Sequence, residues 1–186
     1  MATIHDAYIN ALLADATYAL NENNSPNGIT GDTLKDALST RMTLTLATYM
    51  GENFSVLTHT ESGDFFGSGF DATVWQGKDG TEFAGKTYVS MQGTQGLADF
   101  ITDIDLTVSG VAKDQIVDMV NWWLKNTAAE GAPAKQIALA ANNGFVAFFV
   151  NAPTVLGTGL LSDVSNVIVD GHSLARVGRT RLRYAA

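Results

Sequence analysis

The chain contains no cysteine and few basic residues, and both shortages narrow the functions open to it. Without cysteine there is no disulfide, no thiolate zinc site and no cysteine nucleophile. Lys and Arg total 11 against 19 Asp and Glu, giving a formal net charge of -8, so little in the chain would hold a phosphate backbone. We therefore expect no nucleic-acid partner. Cysteine-free chains occur both in the cytosol and outside the cell, so the compartment stays open.

Neither a secretory leader of the usual type nor a membrane-spanning apolar run is expected from the sequence. Residues 1–5 contain no Lys or Arg, and the Ala- and Leu-rich stretch that follows is interrupted by Asp6, Asn10 and Asp15. A Sec signal peptide is therefore not expected. No stretch reaches about 18 uninterrupted apolar residues, so we expect no transmembrane segment. Peripheral contact with a lipid surface stays open.

Arginine is distributed unevenly along the chain. Residues 1–175 contain only Arg41, whereas the last eleven residues contain four: Arg176, Arg179, Arg181 and Arg183. Such a tail can be a solvated basic segment that binds an acidic partner. We favour a different interpretation, in which residues 1–175 form the native domain and 176–186 are a non-native or disordered tail.

The first fifty residues have the apolar spacing of helices. In residues 3–20 apolar side chains recur every three or four positions, and the polar run 21–28 ends this helix. A second helical region is expected to begin at Asp32, as its cap, and to end at Gly51. The 186-residue chain, 46% hydrophobic, is long enough to form one compact domain or most of one.

Strands are predicted next, and then a second helical region and more strands. β-branched and aromatic residues predict three strands and a turn at Lys78-Asp79-Gly80. A helix is predicted next over residues 113–126; its apolar stripe contains Ile116 and its polar face contains Asn121. Apolar runs at 137–141 and 145–150 predict two further strands, and 167–169 predicts a short buried one. The three earlier strands are 54–59, 70–76 and 86–91. This order predicts an α/β fold in which antiparallel strands precede a parallel sheet.

The last apolar strand runs directly into Gly171-His172-Ser173-Leu174-Ala175. This pattern suits a nucleophile elbow, because a serine at a sharp strand-to-helix turn has a strained backbone that lifts its hydroxyl clear of the sheet. Small neighbours, here Gly171 and Ala175, avoid clashes at such a turn. The amide of Leu174 would then point at the oxyanion of a tetrahedral intermediate. The motif predicts Ser173 as a nucleophile.

A second strand breaks into the glycine-containing loop Gln92-Gly93-Thr94, and Ile101-Thr102-Asp103 follows it. Together with Gly171-His172-Ser173-Leu174, these residues resemble the lipase class 3 family. In that family the oxyanion strand ends in aromatic-Arg-Gly-Ser/Thr, and the nucleophile lies in Gly-His-Ser-Leu-Gly. The detailed match spans residues 88–105 and 167–174.

The resemblance implies a partial α/β-hydrolase fold whose parallel sheet ends at the nucleophile strand. It further implies a carboxylic ester hydrolase of the triacylglycerol lipase type that acts on small-molecule or lipid esters. Ser173 would be the nucleophile, Thr94 with the Leu174 amide would form the oxyanion hole, and His172 would be structural. The looser similarity is to lipase-like domains at the front of proteins exported by bacterial type I secretion. It implies an extracellular location for a full-length parent, with a cytoplasmic location as the alternative.

The chain departs from the family pattern at several positions. Gln92 replaces the usual Arg and Ala175 the usual Gly, and both changes are tolerable. More seriously, the triad order of this fold is Ser, then Asp or Glu, then His, but only 13 residues follow Ser173 and none is Asp, Glu or His. We therefore expect a truncated or frame-shifted chain that is inactive as it stands. The alternative is a non-enzymatic interaction module that retains part of the hydrolase fold.

Other candidates for a base or a metal site carry less weight. His5 and His59 lie upstream of the nucleophile, where a surface or hydrogen-bonded histidine is the usual explanation. No cofactor is implied. Calcium is a weak possibility at Asp99, Asp103 and Asp105, since acidic residues in a first helical turn are more often caps.

Overall fold

The computed structural model describes residues 3–20, 26–61, 70–92, 110–142, 146–164 and 167–172. Within them the chain forms four helices, α1 (Ile4–Thr17), α2 (Gly31–Leu38), α3 (Leu44–Asn53) and α4 (Gly110–Thr127). It also forms six strands: β1 (Phe54–Thr60), β2 (Asp71–Gly77), β3 (Thr87–Gln92), β4 (Pro133–Asn142), β5 (Val146–Leu156) and β6 (Val167–His172). The predicted α/β class is therefore confirmed in its coarse form. The predicted domain boundary after residue 175 lies outside the described residues.

The chain divides into two compact units. The first unit consists of Met1–Ser62, Asp71–Gly93 and Asn166–Ala186, and the second of Gly63–Phe70 and Thr94–Ser165. The described elements of the first unit are α1 to α3 with β1, β2, β3 and β6. The second unit contains α4, β4 and β5. No described helix is long and apolar enough to cross a membrane.

Helix α1 confirms the first predicted helix and begins at a capping box. The Thr3 hydroxyl accepts a hydrogen bond from the Asp6 amide at 3.1 Å, and the Asp6 carboxylate accepts one from the Thr3 amide at 2.7 Å. These bonds satisfy amides that a helix start leaves without partners. Further along, Asp15 accepts two hydrogen bonds from the Arg41 guanidinium, which ties α1 to the segment that follows α2.

The second predicted helical region is in fact two helices, α2 and α3. The amides of Arg41 and Met42 both donate to the Leu38 carbonyl, which closes α2, and Thr43 caps α3. The predicted cap was also wrong, because Thr30 rather than Asp32 is the N-cap of α2. Gly51 does not end α3. Its place inside the helix reflects a close approach, since a Cβ there would lie 2.5 Å from the Gly31 carbonyl oxygen.

The sheet of the first unit has the strand order β1-β2-β3-β6. β1, β2 and β3 are antiparallel neighbours and lie within one residue of the three predicted strands, while β3 and β6 are parallel. Among the described strands of this sheet, β3 and β6 form the one parallel pair. The prediction that 167–169 is a buried strand was wrong for Val169, which is 54% exposed. β6 is the last strand in the described order, so one of its edges has no described neighbour.

The core of the first unit lies between α1 to α3 and one face of this sheet. Phe54, Phe83 and Tyr88 form its aromatic centre, with ring centroids 4.6 Å apart for Phe54 and Phe83 and 5.7 Å apart for Phe54 and Tyr88. Aliphatic side chains from the helices surround them: Ile9, Leu12, Leu13, Leu34, Leu38 and Met50. The apolar stripes that predicted the helices thus cover the sheet.

In the second unit, α4 packs on the hairpin of β4 and β5. Both predicted strands occur but are longer than the predicted runs 137–141 and 145–150, and they pair with each other as an antiparallel ladder, not as neighbours in a parallel sheet. The apolar stripe of α4 was partly misassigned, because Ile116 is 43% exposed. Asn121, predicted to lie on the polar face, instead bonds both backbone groups of Ile137 in β4, at 2.9 and 2.8 Å.

Candidate functional site

The two strands that carry the sequence motifs are direct neighbours in the sheet. β3 and β6 are parallel and pair residue for residue, from Thr87 with Val167 to Gln92 with His172. Their carboxyl ends therefore lie at the same edge of the sheet. In the sequence, Thr94 follows Gln92 by two residues and Ser173 follows His172 by one, so each motif continues from one of these two strand ends.

Most of the predicted site residues lie outside the described residues. These are the proposed nucleophile, both oxyanion residues and the small residue after them: Ser173, Thr94, Leu174 and Ala175. Gly171 and His172 are described and form the end of β6. A Cβ at Gly171 would lie 2.6 Å from the Met91 carbonyl oxygen, so the tight approach of β3 requires glycine there.

His59, the alternative base, is a buried residue with partners of its own. It is 8% exposed, its Nδ1 lies 2.8 Å from the Thr73 hydroxyl and its Nε2 lies 3.4 Å from a Glu61 carboxylate oxygen. One ring nitrogen thus has a hydroxyl as its partner, which can donate or accept, and the other has a carboxylate, which accepts. β1 is three strands from β6, a separation of about 14 Å at the usual strand spacing. These contacts hold His59 in place, away from the end of β6.

His5 is also engaged, and on the protein surface. Its Nε2 lies 3.2 Å from a Glu82 carboxylate oxygen, and its ring stacks over Phe83 with centroids 6.2 Å apart. Its side chain is about half exposed. His5 therefore has the geometry of a surface ion pair, as the sequence suggested.

A row of polar residues crosses the sheet in register. His59 pairs with Thr73, Thr73 with Ser90 and Ser90 with Asp170, through β1, β2, β3 and β6 in turn. Directly paired residues point to the same face, so these four side chains form one line. We call His59, Thr73, Ser90 and Asp170 the polar row. It lies on the face that carries Trp75 and Tyr88, towards the edge where β3 and β6 end.

The Asp170 end of the polar row has unmet hydrogen-bonding capacity. Several buried polar atoms have no hydrogen-bond partner among the described residues: Trp75 Nε1, Ser90 Oγ, Gln92 Oε1 and both carboxylate oxygens of Asp170. Burial raises the pKa of Asp170 to about 7, and the nearby Ser90 hydroxyl offsets part of this rise. The Ser90 hydroxyl has this effect because it can donate to the ionised carboxylate, although the two groups do not have the geometry of a normal hydrogen bond.

Sequence reasoning gave no role to Ser90 or Asp170. Both interrupt apolar strands, Ser90 within 86–91 and Asp170 directly after 167–169. A polar residue inside a buried strand signals a specific partner, since burial without a hydrogen bond is costly. That signal was present, but only the strand register identifies the partner.

No group of three or more His, Asp or Glu side chains that could hold a metal occurs in the described part of the chain. The weak calcium candidates Asp99, Asp103 and Asp105 lie outside it. The chain matches no protein-family model, no curated protein and no solved structure. The lipase resemblance thus rests on the motif residues themselves.

Proposed function

We propose that this chain has the scaffold of a lipase-like serine ester hydrolase, with a partial α/β-hydrolase sheet and Ser173 as nucleophile. The observation that supports this most is the pairing of Gln92 with His172 at the ends of β3 and β6. Adjacent strands lie about 4.8 Å apart, so the strand ends that precede Thr94 and Ser173 in the sequence lie about one strand spacing from each other. An oxyanion hole and its nucleophile need this proximity.

In the proposed chemistry, the Ser173 hydroxyl attacks the carbonyl carbon of an ester. The carbonyl oxygen becomes an oxyanion, which the Thr94 and Leu174 amides would stabilise. Loss of one such donor typically lowers the rate by about 100 to 1,000-fold. A serine also needs a positioned base to accept its proton. His5 and His59 are both held elsewhere, so we propose that the 186-residue chain has little turnover of its own.

A test that needs no base replaces the serine by a more reactive thiol. The chain has no cysteine, so Ser173→Cys introduces a single thiol. p-Nitrophenyl acetate acylates this thiol and releases one equivalent of p-nitrophenolate. The matched control is Ser39→Cys, at an exposed position just after α2. The second-order rate constant of each variant is divided by the fraction of its thiol that is ionised, which is calculated from the measured pKa of that thiol. The two corrected constants are then compared.

We expect the Ser173→Cys variant to be acylated at least about 10-fold faster than the Ser39→Cys variant, because the oxyanion would be stabilised only at position 173. Equal rates for the two variants would rule out an oxyanion hole beside residue 173. A faster rate at position 173 that persists in about 6 M urea would also rule out an oxyanion hole. The fold is lost at that concentration, so the effect would then come from neighbouring residues in the sequence.

The alternative function, an interaction module, is favoured by the exposed apolar side chains of β5. Phe149, Val155 and Leu156 are 52%, 40% and 67% exposed. Large apolar side chains on one strand are typical of a contact surface, for example with lipid. Replacement of all three by serine should reduce co-sedimentation with anionic phosphatidylglycerol vesicles. Ile4→Ser, at an exposed residue of α1, is the control. Equal sedimentation of all variants would exclude a lipid-contact role for β5.

A further inference from the structure

Four buried side-chain oxygens near the ends of β3 and β6 have no hydrogen-bond partner among the described residues. They are Ser90 Oγ, Gln92 Oε1 and both carboxylate oxygens of Asp170. Ser90 is completely buried, and Gln92 is 5% exposed. A buried polar atom without a partner is costly, so native proteins rarely leave one unsatisfied. Four such atoms in one region indicate a bound group that supplies the missing contacts.

The strand register brings these three side chains together. Ser90 and Asp170 are direct partners across the parallel ladder, and Gln92 lies two residues after Ser90, on the same face. Neighbouring strands are about 4.8 Å apart, and alternate residues of one strand are about 6.6 Å apart. The oxygens of a serine, an aspartate and a longer glutamine side chain can span these distances and meet at one atom between them.

Gln92 is held with its amide oxygen as the end that has no partner. Its Nε2 donates a hydrogen bond to the carboxylate of Asp71, its direct partner on β2. A carboxylate that orients a ligand in this way is typical of the second layer of residues around a metal ion. Asp71 also places a second acidic group beside the three side chains.

The charge of Asp170 decides which kind of group fits. None of the described Lys, Arg and His side chains forms an ion pair with it. Helix α1, which packs on β3 and β6, contains no Lys or Arg, and its His5 pairs with Glu82. Water would satisfy the hydrogen bonds of these oxygens, but only a cation also compensates a buried carboxylate. The arrangement therefore favours a cation that is bound by oxygen.

We propose that Asp170, Ser90 and Gln92 bind a calcium ion between the ends of β3 and β6. Calcium takes six to eight oxygen ligands in flexible geometry, and carboxylate and amide oxygens are among the ligands it prefers. The three side chains supply four oxygens, and water and backbone carbonyls complete the set. Magnesium needs a nearly ideal octahedron and usually keeps several waters, so it fits buried ligands on two paired strands less well.

Such a site contains one aspartate and two neutral ligands, so it differs from a cluster of acidic side chains. The buried Trp75 Nε1, which also has no described partner, lies on the same face and can donate to a water on the ion. Asp170 as a whole is only partly buried, which leaves the ion a route from solvent. Calcium binding here is independent of the proposed ester chemistry, in which none of these residues takes part.

The first experiment titrates calcium into the ¹⁵N-labelled 186-residue chain after treatment with a chelator. The NMR shifts of the Ser90, Gln92 and Asp170 amides give both the place and the affinity of binding. Calcium and a proton compete for the Asp170 carboxylate, whose pKa burial raises to about 7, so the titration is done at about pH 8. About 0.15 M KCl screens weak attraction of calcium to the acidic surface.

Three variants accompany the wild-type chain, and their spectra show whether each one is folded. Asp170→Asn removes the charge at constant size, and Ser90→Ala removes one oxygen. The matched control is Asp36→Asn, which removes the same charge from an exposed position of α2.

We expect one calcium ion to bind the wild-type chain with a Kd of about 0.1 to 1 mM, the range of sites with few charged ligands. Asp170→Asn should raise this Kd at least about 10-fold and Ser90→Ala about 3-fold, while Asp36→Asn changes it less than about 2-fold. Magnesium should bind at least about 10-fold more weakly than calcium. No shift at β3 and β6, an equal effect of Asp36→Asn, or equal affinity for magnesium would overturn the proposal.

The second experiment locates the ion without changing any of its ligands. Terbium has the oxygen preference of calcium and emits light when an excited tryptophan lies close to it. Trp75 is the direct partner of Tyr88, two residues before Ser90, and so lies diagonally across the ladder from Ser90. We expect terbium emission on tryptophan excitation, displaced by calcium and largely lost in Trp75→Phe, although this variant still binds calcium. Full emission from Trp75→Phe, or emission that calcium does not displace, would place the ion elsewhere and overturn the proposal.

Discussion

Gln92 and His172 end two parallel strands and are direct partners in the ladder between them. They lie far apart in the sequence, yet each is followed within two residues by a predicted site residue, Thr94 or Ser173. Parallel neighbours bring their carboxyl ends to one edge, where ligand and catalytic residues of α/β sheets commonly lie. The pairing therefore places side by side the two strands that these motifs follow in the sequence.

Gly171→Ala should destabilise the first unit. The new Cβ would lie 2.6 Å from the Met91 carbonyl oxygen, and backbone cannot move aside as a flexible side chain does. We expect a loss of about 1 to 3 kcal/mol, the usual range for overpacking. Val169→Ala, at an exposed position of the same strand, should cost less. Urea unfolding followed by NMR signals of β3 measures both, and equal losses would contradict the close contact.

The free energy of unfolding should depend on pH through Asp170. Its pKa is about 7 in the fold, against 3.8 for an ordinary aspartate. The folded state then binds the proton more tightly than the unfolded state does. The stabilisation of the fold by this proton is therefore complete below about pH 4, decreases as the pH rises to about 7, and does not change further above that. At about 1.4 kcal/mol per pKa unit, the loss is at most several kcal/mol. Asp170→Asn should remove this component. If the free energy of unfolding changed with pH in the same way in the wild-type chain and in Asp170→Asn, this prediction would be contradicted.

Ester hydrolysis by the 186-residue chain should stay at background. We expect the wild-type chain, Ser173→Ala and His59→Ala to give the same rate with p-nitrophenyl butyrate. His59→Ala should nevertheless lower stability by about 1 to 3 kcal/mol, because Thr73 loses its buried partner. Turnover well above background that is lost in both variants would instead identify His59 as the base.

Asn121→Ala should destabilise the second unit by about 1 to 3 kcal/mol. The change leaves the Ile137 amide and carbonyl without the Asn121 bonds at 2.8 and 2.9 Å. Asp114→Ala, at an exposed position of α4, is the control and should change stability by less than about 0.5 kcal/mol. Unfolding followed by NMR signals of β4 gives both values. A small effect of Asn121→Ala would show that water replaces the side chain.

Self-association through β6 is expected at high protein concentration. β6 ends the described strand order, and Val169 on it is 54% exposed. Accessible apolar edge strands pair with other chains, and lysine on such a strand prevents this. Sedimentation velocity should show dimers or larger species for the wild-type chain and fewer for Val169→Lys. A wild-type chain that stays monomeric at high concentration would refute this expectation.

Local sequence patterns determined most of the individual elements. Helix α1 and strands β1 to β3 lie close to their predicted positions, because alternation and helical spacing report directly which side chains face a core. The pattern failed between α2 and α3. There the apolar spacing continues across a break made by the Leu38 carbonyl and the Thr43 cap, and such hydrogen bonds leave little trace in hydrophobic periodicity.

The sequence by itself determined that Gly171 precedes a serine in a strand-to-turn motif, and that the chain has no thiol chemistry. Only the tertiary structure decided that β6 lies beside β3, that Asn121 binds β4, and that Ser90 faces Asp170. The physical reason is that strand order and register arise from pairing between distant segments. Each residue's partner there depends on the whole sheet, whereas helical and strand spacing are set by near neighbours in the chain.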